Sequence, residues 1–157
     1  DFETLTKHLT NLVDDDNKVW GETRYCENNT VNMILTMYKR RASQNGISVK
    51  ISAKASGSLA VPPQDLVVVI ANLFENAINE VANLKSKEGY IDIQIKDSPE
   101  RLLIKIDNPC RANLTFDETL YGIGIRSVIS TTSKYEGMYD FTAEDGVFSA
   151  KIILNLK

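Results

Sequence analysis

The stretch NLFENAINEV, residues 72 to 81, restricts what this chain can fold into more than any other. Asparagine is a mediocre helix former, because its amide competes with the backbone for hydrogen bonds. Yet Asn72, Asn76, Asn79 and Asn83 recur through a segment whose apolar residues keep helical spacing. At about 100° per residue these side chains fall within roughly 60° of one another. Ile70, Leu73, Phe74, Ala77, Ile78, Val81 and Leu84 take the opposite arc. The spacing predicts a helix that packs on one side and presents amides on the other. Taken alone, such a stripe is either a solvated polar face or a row of neutral ligands.

Regular elements surround this helix. Asn28, Asn29 and Thr30 form a capping cluster ahead of Val31, Ile34, Leu35 and Tyr38, and Gly46 offers a C-cap, so a helix is expected between them. ISVKISAK alternates strictly, with Ile47, Val49, Ile51 and Ala53 on one face, as a half-buried strand does. SGSLAVPPQ reads as a loop whose Pro62 and Pro63 suit the start of the asparagine helix. YIDIQIK and RLLIKID read as strands joined by the turn DSPE. An irregular stretch, NPCRANLTFDETLY, leads to GIGIRSVISTTSKY, a glycine-led helix ending near Gly137. MYDFT and FSAKIILNL flank the hairpin signal Asp145-Gly146. Five strands with helices able to cover one face predict an α+β sandwich. Strand and helix do not alternate fully, which argues against a Rossmann unit.

Phe2, Leu5, Leu9, Leu12 and Val19 form a coiled-coil-like seam interrupted by Asp14 to Asp16. One apolar edge on so short a helix needs a partner, and the segment reads as the tail of a longer helix. The 157 residues otherwise suffice for one ordinary domain. Asp and Glu number 21 against 18 Lys and Arg, with no long basic run, so no nucleic-acid partner is expected. The triplet Lys39, Arg40 and Arg41 reads as a solvated helix face. No apolar run approaches the roughly 18 residues that span a bilayer, and the start lacks a signal-peptide pattern. A cytosolic protein, or a cytosolic piece of a larger one, is expected. Cys26 and Cys110 read as reduced, and a single histidine excludes most zinc sites.

Two further motifs bear on the amides. In IKIDNPC, alternation sets Ile104, Ile106 and Asn108 on one strand face, so Asn108 closes an inward row where the strand stops. Its amide offers an acceptor and donors, enough to read a purine edge, and Pro109 is expected to turn the chain out of the sheet. In YGIGIRSV, Gly122 and Gly124 open a helix and would let phosphate oxygens approach backbone N–H groups, with Arg126 one turn in as a further positive charge. An amide oxygen such as that of Asn76 suits Mg²⁺, which prefers hard oxygen ligands and shares substrate phosphates. Each motif alone also fits a plain turn or a solvated surface.

Together, an asparagine helix, a polar strand end and a glycine pair after a short loop resemble the asparagine box and the two glycine boxes of the GHKL ATP-binding fold, shared by histidine kinases, gyrase, heat-shock chaperones and MutL. NLFENAINE is close to the histidine-kinase form of the first box. In detail the chain resembles peptide-sensing, quorum-sensing kinases of the AgrC type, in which NP or NS replaces DxGxG. The resemblance implies an α+β fold, the Bergerat-type two-layer α/β sandwich, with a mixed, mainly antiparallel five-stranded sheet and helices on one face. It implies ATP and Mg²⁺ as cofactors, with Asn76 as metal ligand and Asn72 supporting the phosphates. Asn108 would stand at the adenine-reading position, Gly122 and Gly124 would cradle phosphate with Arg126 beside them, and Cys110 to Tyr121 would form a short ATP lid. Two positions depart from the pattern: Cys110 stands in place of glycine, and Asn79 in place of a phosphate-facing lysine.

Hydrolysing members of the superfamily carry a glutamate base four residues before the magnesium asparagine. Here that position is Asn72, which cannot act as a general base, so the pattern fits transfer of the phosphoryl group rather than hydrolysis. The resemblance implies residues 1–27 as the end of a dimerisation and phosphoacceptor hairpin and 28–157 as the ATP-binding domain. His8 lies too near the domain to be the acceptor, and no catalytic residue is assigned within the chain. The expected whole is a membrane-bound bacterial sensor kinase, homodimeric, whose cytoplasmic ATP domain serves its own or a partner subunit's hairpin and, through it, a response regulator. A nucleotide-free interaction module of the same fold and an anti-sigma-type serine kinase are the competing readings.

Overall fold

Strict alternation of apolar and polar residues gives every central strand one face that must be buried, and helices supply the cover. The computed structural model describes residues 3, 4, 7, 23–84, 88–111 and 122–156. The elements run α1 (Asn29–Gln44), β1 (Ser48–Lys54), α2 (Pro63–Asn83), β2 (Tyr90–Asp97), β3 (Arg101–Pro109), α3 (Ile123–Lys134), β4 (Met138–Glu144) and β5 (Val147–Asn155). They form one five-stranded sheet in the order β1-β2-β3-β5-β4. β1 pairs parallel with β2, because α2 returns the chain between them; the other neighbours pair antiparallel.

The core lies between this sheet and the helices. Ile91, Ile93 and Ile95 on β2, Leu102, Ile104 and Ile106 on β3, and Phe148, Ala150, Ile152 and Leu154 on β5 are all buried. Against them α2 buries Leu66, Ile70, Leu73, Phe74, Ala77, Ile78 and Val81. At about 25 cal/mol per Å² of apolar surface removed from water, this layer is the main stabilising contribution.

Local chemistry sets the boundaries. Asn28 caps α1 by accepting from the Val31 N–H at 3.0 Å, and its Nδ2 donates to the Ser56 carbonyl at 3.1 Å. Asn45 is the C-cap of α1, and the expected glycine follows it as Gly46, at φ +70°. The β4–β5 turn is the Asp145-Gly146 hairpin signal, both residues at positive φ. Between α3 and β4 the backbone passes so close to β5 that a Cβ on Gly137 would sit 2.1 Å from the Ile153 carbonyl oxygen.

One expectation is corrected. Pro109 does not turn the chain out of the sheet: β3 continues through it, paired with Val147 on β5. Proline has no N–H to give, and on the β2 side pairing has already ended at Asp92 and Asp107, so the missing donor interrupts no ladder there. In the segment that carries the apolar seam only Glu3, Thr4 and Lys7 are described, as exposed helical residues; the seam's apolar positions and His8 lie outside the described residues. Among the described residues no helix is long and apolar enough to cross a membrane.

Candidate functional site

The C-terminal half of α2 lies over one end of the sheet. A Cβ on Gly89, just before β2, would sit 2.5 Å from Val81 Cγ1, which places the start of β2 beside the end of α2. Antiparallel pairing brings the end of β3 to the same edge. There Asn108 closes the inward row, 1% exposed, with its Nδ2 donating to the Pro109 carbonyl at 2.9 Å. With that donor used, Oδ1 is left as the acceptor, which an exocyclic amine would need. Cys110 follows, buried, its N–H donating to the Gly146 carbonyl at 2.8 Å. Burial, and then the charge of Glu80 on α2, push its thiol pKa up, so it stays protonated and unreactive.

The amide stripe opens progressively along α2: Asn72 and Asn76 are half-buried, Asn79 and Asn83 exposed. Asn72 donates from Nδ2 to the Val68 carbonyl at 2.7 Å, leaving Oδ1 toward α3. A Cβ on Gly124 would lie 2.9 Å from that Oδ1. The two motifs, far apart in the chain, therefore meet directly. The amide of Asn76 has no hydrogen-bond partner among the described residues.

The two glycines differ. Gly124 is the one whose missing side chain lets α3 close on Asn72, whereas a Cβ on Gly122 would meet nothing within 4 Å. Gly122 is the N-cap of α3 and supplies no side-chain cap, so the first N–H groups keep the partial positive charge of an uncapped helix start. Arg126, also exposed, lines an open cleft with Val68, Ile123, Ser127, Ser130 and Thr131. That group contains none of the asparagines. The expected lid lies, from residue 112 to 121, outside the described residues.

The acidic neighbour of the stripe is committed elsewhere. Glu75 makes an ion pair with Arg41 on α1 and lies near the Tyr38 hydroxyl of the same helix. The Tyr38 ring stacks on Phe74 with centroids 5.4 Å apart, and burial, followed by the charge of Glu75, raises the pKa of its hydroxyl. A carboxylate held this way is not poised to activate water. Among the described residues no three His, Cys, Asp or Glu side chains group as a metal site. The donors on offer are amide oxygens, which fit a Mg²⁺ ion sharing a nucleotide's phosphates.

At the opposite end of the same two helices is an arrangement the sequence did not announce. Asp65, 6% exposed in the first turn of α2, receives Lys134 and Tyr135 from the end of α3. A lone acid beside LVVVI was the only local signal.

A family model described as GHKL domain matches residues 61–155. The "Probable C4-dicarboxylate sensor kinase" of Bacillus subtilis (strain 168) is 32% identical over 120 residues, covering 74% of this chain and 22% of that protein's length. Among solved structures, the histidine kinase domain of the Erythrobacter litoralis EL346 blue-light activated histidine kinase aligns with a TM-score of 0.70 at 12% identity, over 99% of this chain and 75% of that one. Acinetobacter baumannii histidine kinase AdeS gives a TM-score of 0.63 at 15% identity, over 82% and 64% of the two chains. The catalytic domain of histidine kinase ThkA gives 0.64 at 12%, over 82% and 92%. At these identities the structural likeness is one of fold.

Proposed function

The chain belongs to the GHKL domain family and has the fold of histidine-kinase catalytic domains, and from this we propose that it is the ATP-binding catalytic domain of a two-component sensor histidine kinase. The observation that carries the reading is the contact of Gly124 with Asn72, which joins the asparagine helix to the glycine turn. In this reading Asn108 accepts from the adenine amine and Asn72 supports the phosphates. The uncapped N–H groups at Gly122 face the phosphates, and Arg126 contributes charge from the neighbouring turn. Asn76 would hold Mg²⁺, which when bound neutralises charge developing on the transferred phosphoryl group. Phosphoryl transfer asks the protein for positioning and charge neutralisation rather than covalent chemistry. The pairing of Glu75 with Arg41 supports transfer over hydrolysis.

The acceptor is then a histidine on a helical hairpin, of which residues 1–27 would be the end and 28–157 the separate ATP-binding domain. The assembled protein would be a homodimeric, membrane-bound sensor kinase signalling to a response regulator. The Asn108-Pro109 pair supports the peptide-sensing, quorum-sensing type. Calorimetric titration with ADP and a non-hydrolysable ATP analogue, with and without Mg²⁺, tests the reading. Magnesium-dependent binding that Asn76→Ala abolishes, with base preference loosened in Asn108→Ala, is expected. No binding at millimolar nucleotide would overturn it and favour an interaction module of the same fold.

A further inference from the structure

The buried carboxylate at the start of α2 has no part in the nucleotide contacts just described, yet it is among the most fully bonded side chains in the molecule. Lys134 Nζ lies 3.1 Å from Asp65 Oδ1 and 3.2 Å from Oδ2, and the Tyr135 hydroxyl donates to Oδ2 at 2.5 Å. The acid stands in the first turn of its helix and the lysine in the last turn of the other, so each end carries the sign its dipole favours. The lysine side chain is 58% exposed and the carboxylate only 8%, so water screens the ammonium while the phenol fixes the geometry. Burial, then the hydrogen bond and charge of Asp65, hold the Tyr135 proton far above the usual tyrosine range. The hydroxyl is therefore a permanent donor.

The two helices run antiparallel, with Asp65 meeting Lys134 and Tyr135 at one end and Asn72 meeting Gly124 toward the other. A stiff helix held at its end cannot slide without breaking that hold, and one turn of slip would be about 5.4 Å. The hold thus sets the height at which the uncapped start of α3 stands beside Asn72.

We propose that Asp65 is a positioning residue for the phosphate end of the nucleotide site: through Lys134 and Tyr135 it fixes α3 along its axis and aligns the Gly122 turn with Asn72 and Asn76. The inference rests on the nucleotide-binding reading above. Asp65 touches no ligand itself. Adenine recognition at Asn108 belongs to β3, so loosening the hold weakens phosphate contacts and spares the base.

The test compares adenosine, followed by chemical-shift titration, with a non-hydrolysable ATP analogue plus Mg²⁺, on the unaltered chain, Tyr135→Phe and Asp65→Asn. The expected result is adenosine affinity within about twofold of the unaltered chain, while the preference for the analogue falls about tenfold in Asp65→Asn and about threefold in Tyr135→Phe. Hydrogen exchange of the Ile123 to Ser127 amides without ligand should speed up in both variants. An unchanged preference in folded Tyr135→Phe would overturn the proposal, and so would equal loss of both ligands, which marks a purely structural role. If Asp65→Asn does not fold, Tyr135→Phe decides. If the unaltered chain binds neither ligand, the nucleotide reading fails, and the exchange rates alone decide whether Asp65 holds the start of α3.

Discussion

The two ends of the α2–α3 pair solve opposite problems with different chemistry. At the Asp65 end a carboxylate, an ammonium and a phenol satisfy one another, and the contact is closed. Toward the other end stand half-buried amides, a glycine in place of a side chain and an uncapped helix start. Charge is used where the chain must hold itself, because an opposed pair locks geometry. In the proposed reading neutral amides stand where a polyanion would bind, because a carboxylate there would repel phosphate and an unpaired amide can remain solvated at modest cost.

Breaking the closed end should have the largest effect on stability. Asp65→Ala leaves the Tyr135 hydroxyl without its acceptor, and since Lys134 can rehydrate, the loss should be about 2 kcal/mol, read as a lower urea midpoint at unchanged slope. Asn76→Ala, at the open end, should stay within about 0.5 kcal/mol of the unaltered chain.

Next come the glycines, which separate contact from space. Gly124→Ala pushes a methyl group against Asn72 Oδ1, 2.9 Å away. Helix propensity gains about 0.8 kcal/mol from alanine over glycine, so stability changes little while nucleotide affinity should fall about tenfold. Gly122→Ala meets open space and should lower affinity less than about threefold by the same titration.

The pH dependence of unfolding sharpens the comparison further. The folded pKa of Tyr135 is raised, so folding favours the protonated phenol. Its contribution is fully present below the ordinary tyrosine pKa of about 10 and is lost as pH rises above that value toward the folded one. Chemical denaturation between neutral pH and pH about 11 should show a steeper loss in the unaltered chain than in Tyr135→Phe. The smallest effect is expected at the outermost amide: Asn83→Ala, exposed at the last position of α2, should change stability by less than about 0.5 kcal/mol and leave nucleotide titrations unaltered.

Elements and caps were legible because their signals are local. Alternation gave the strands, Asn28 and Gly46 bounded α1, and Asp145-Gly146 marked the hairpin. The asparagine stripe was legible for the same reason, since a period of 3.6 exposes it from Asn72 to Asn83. Asp65 was not, because its partners lie 69 and 70 residues away and no periodicity links them. Nor could the sequence separate Gly122 from Gly124: both look like a phosphate turn until α2 is placed against α3. Pro109 was misjudged because a proline's fate in a strand depends on which neighbour still pairs there, which is a property of the sheet.

The most direct test of the division between the two ends is thermal unfolding of the unaltered chain and Asn76→Ala, each with and without a saturating ATP analogue and Mg²⁺. A ligand that binds only the folded state raises the midpoint, by about 2.7 kcal/mol of stability at a hundredfold excess over Kd. Asn76→Ala should keep the ligand-free midpoint and lose the magnesium-dependent rise. A fall in the ligand-free midpoint comparable to that of Asp65→Ala, or a full rise retained in the variant, would contradict the assignment of the amide end to ligand rather than to fold.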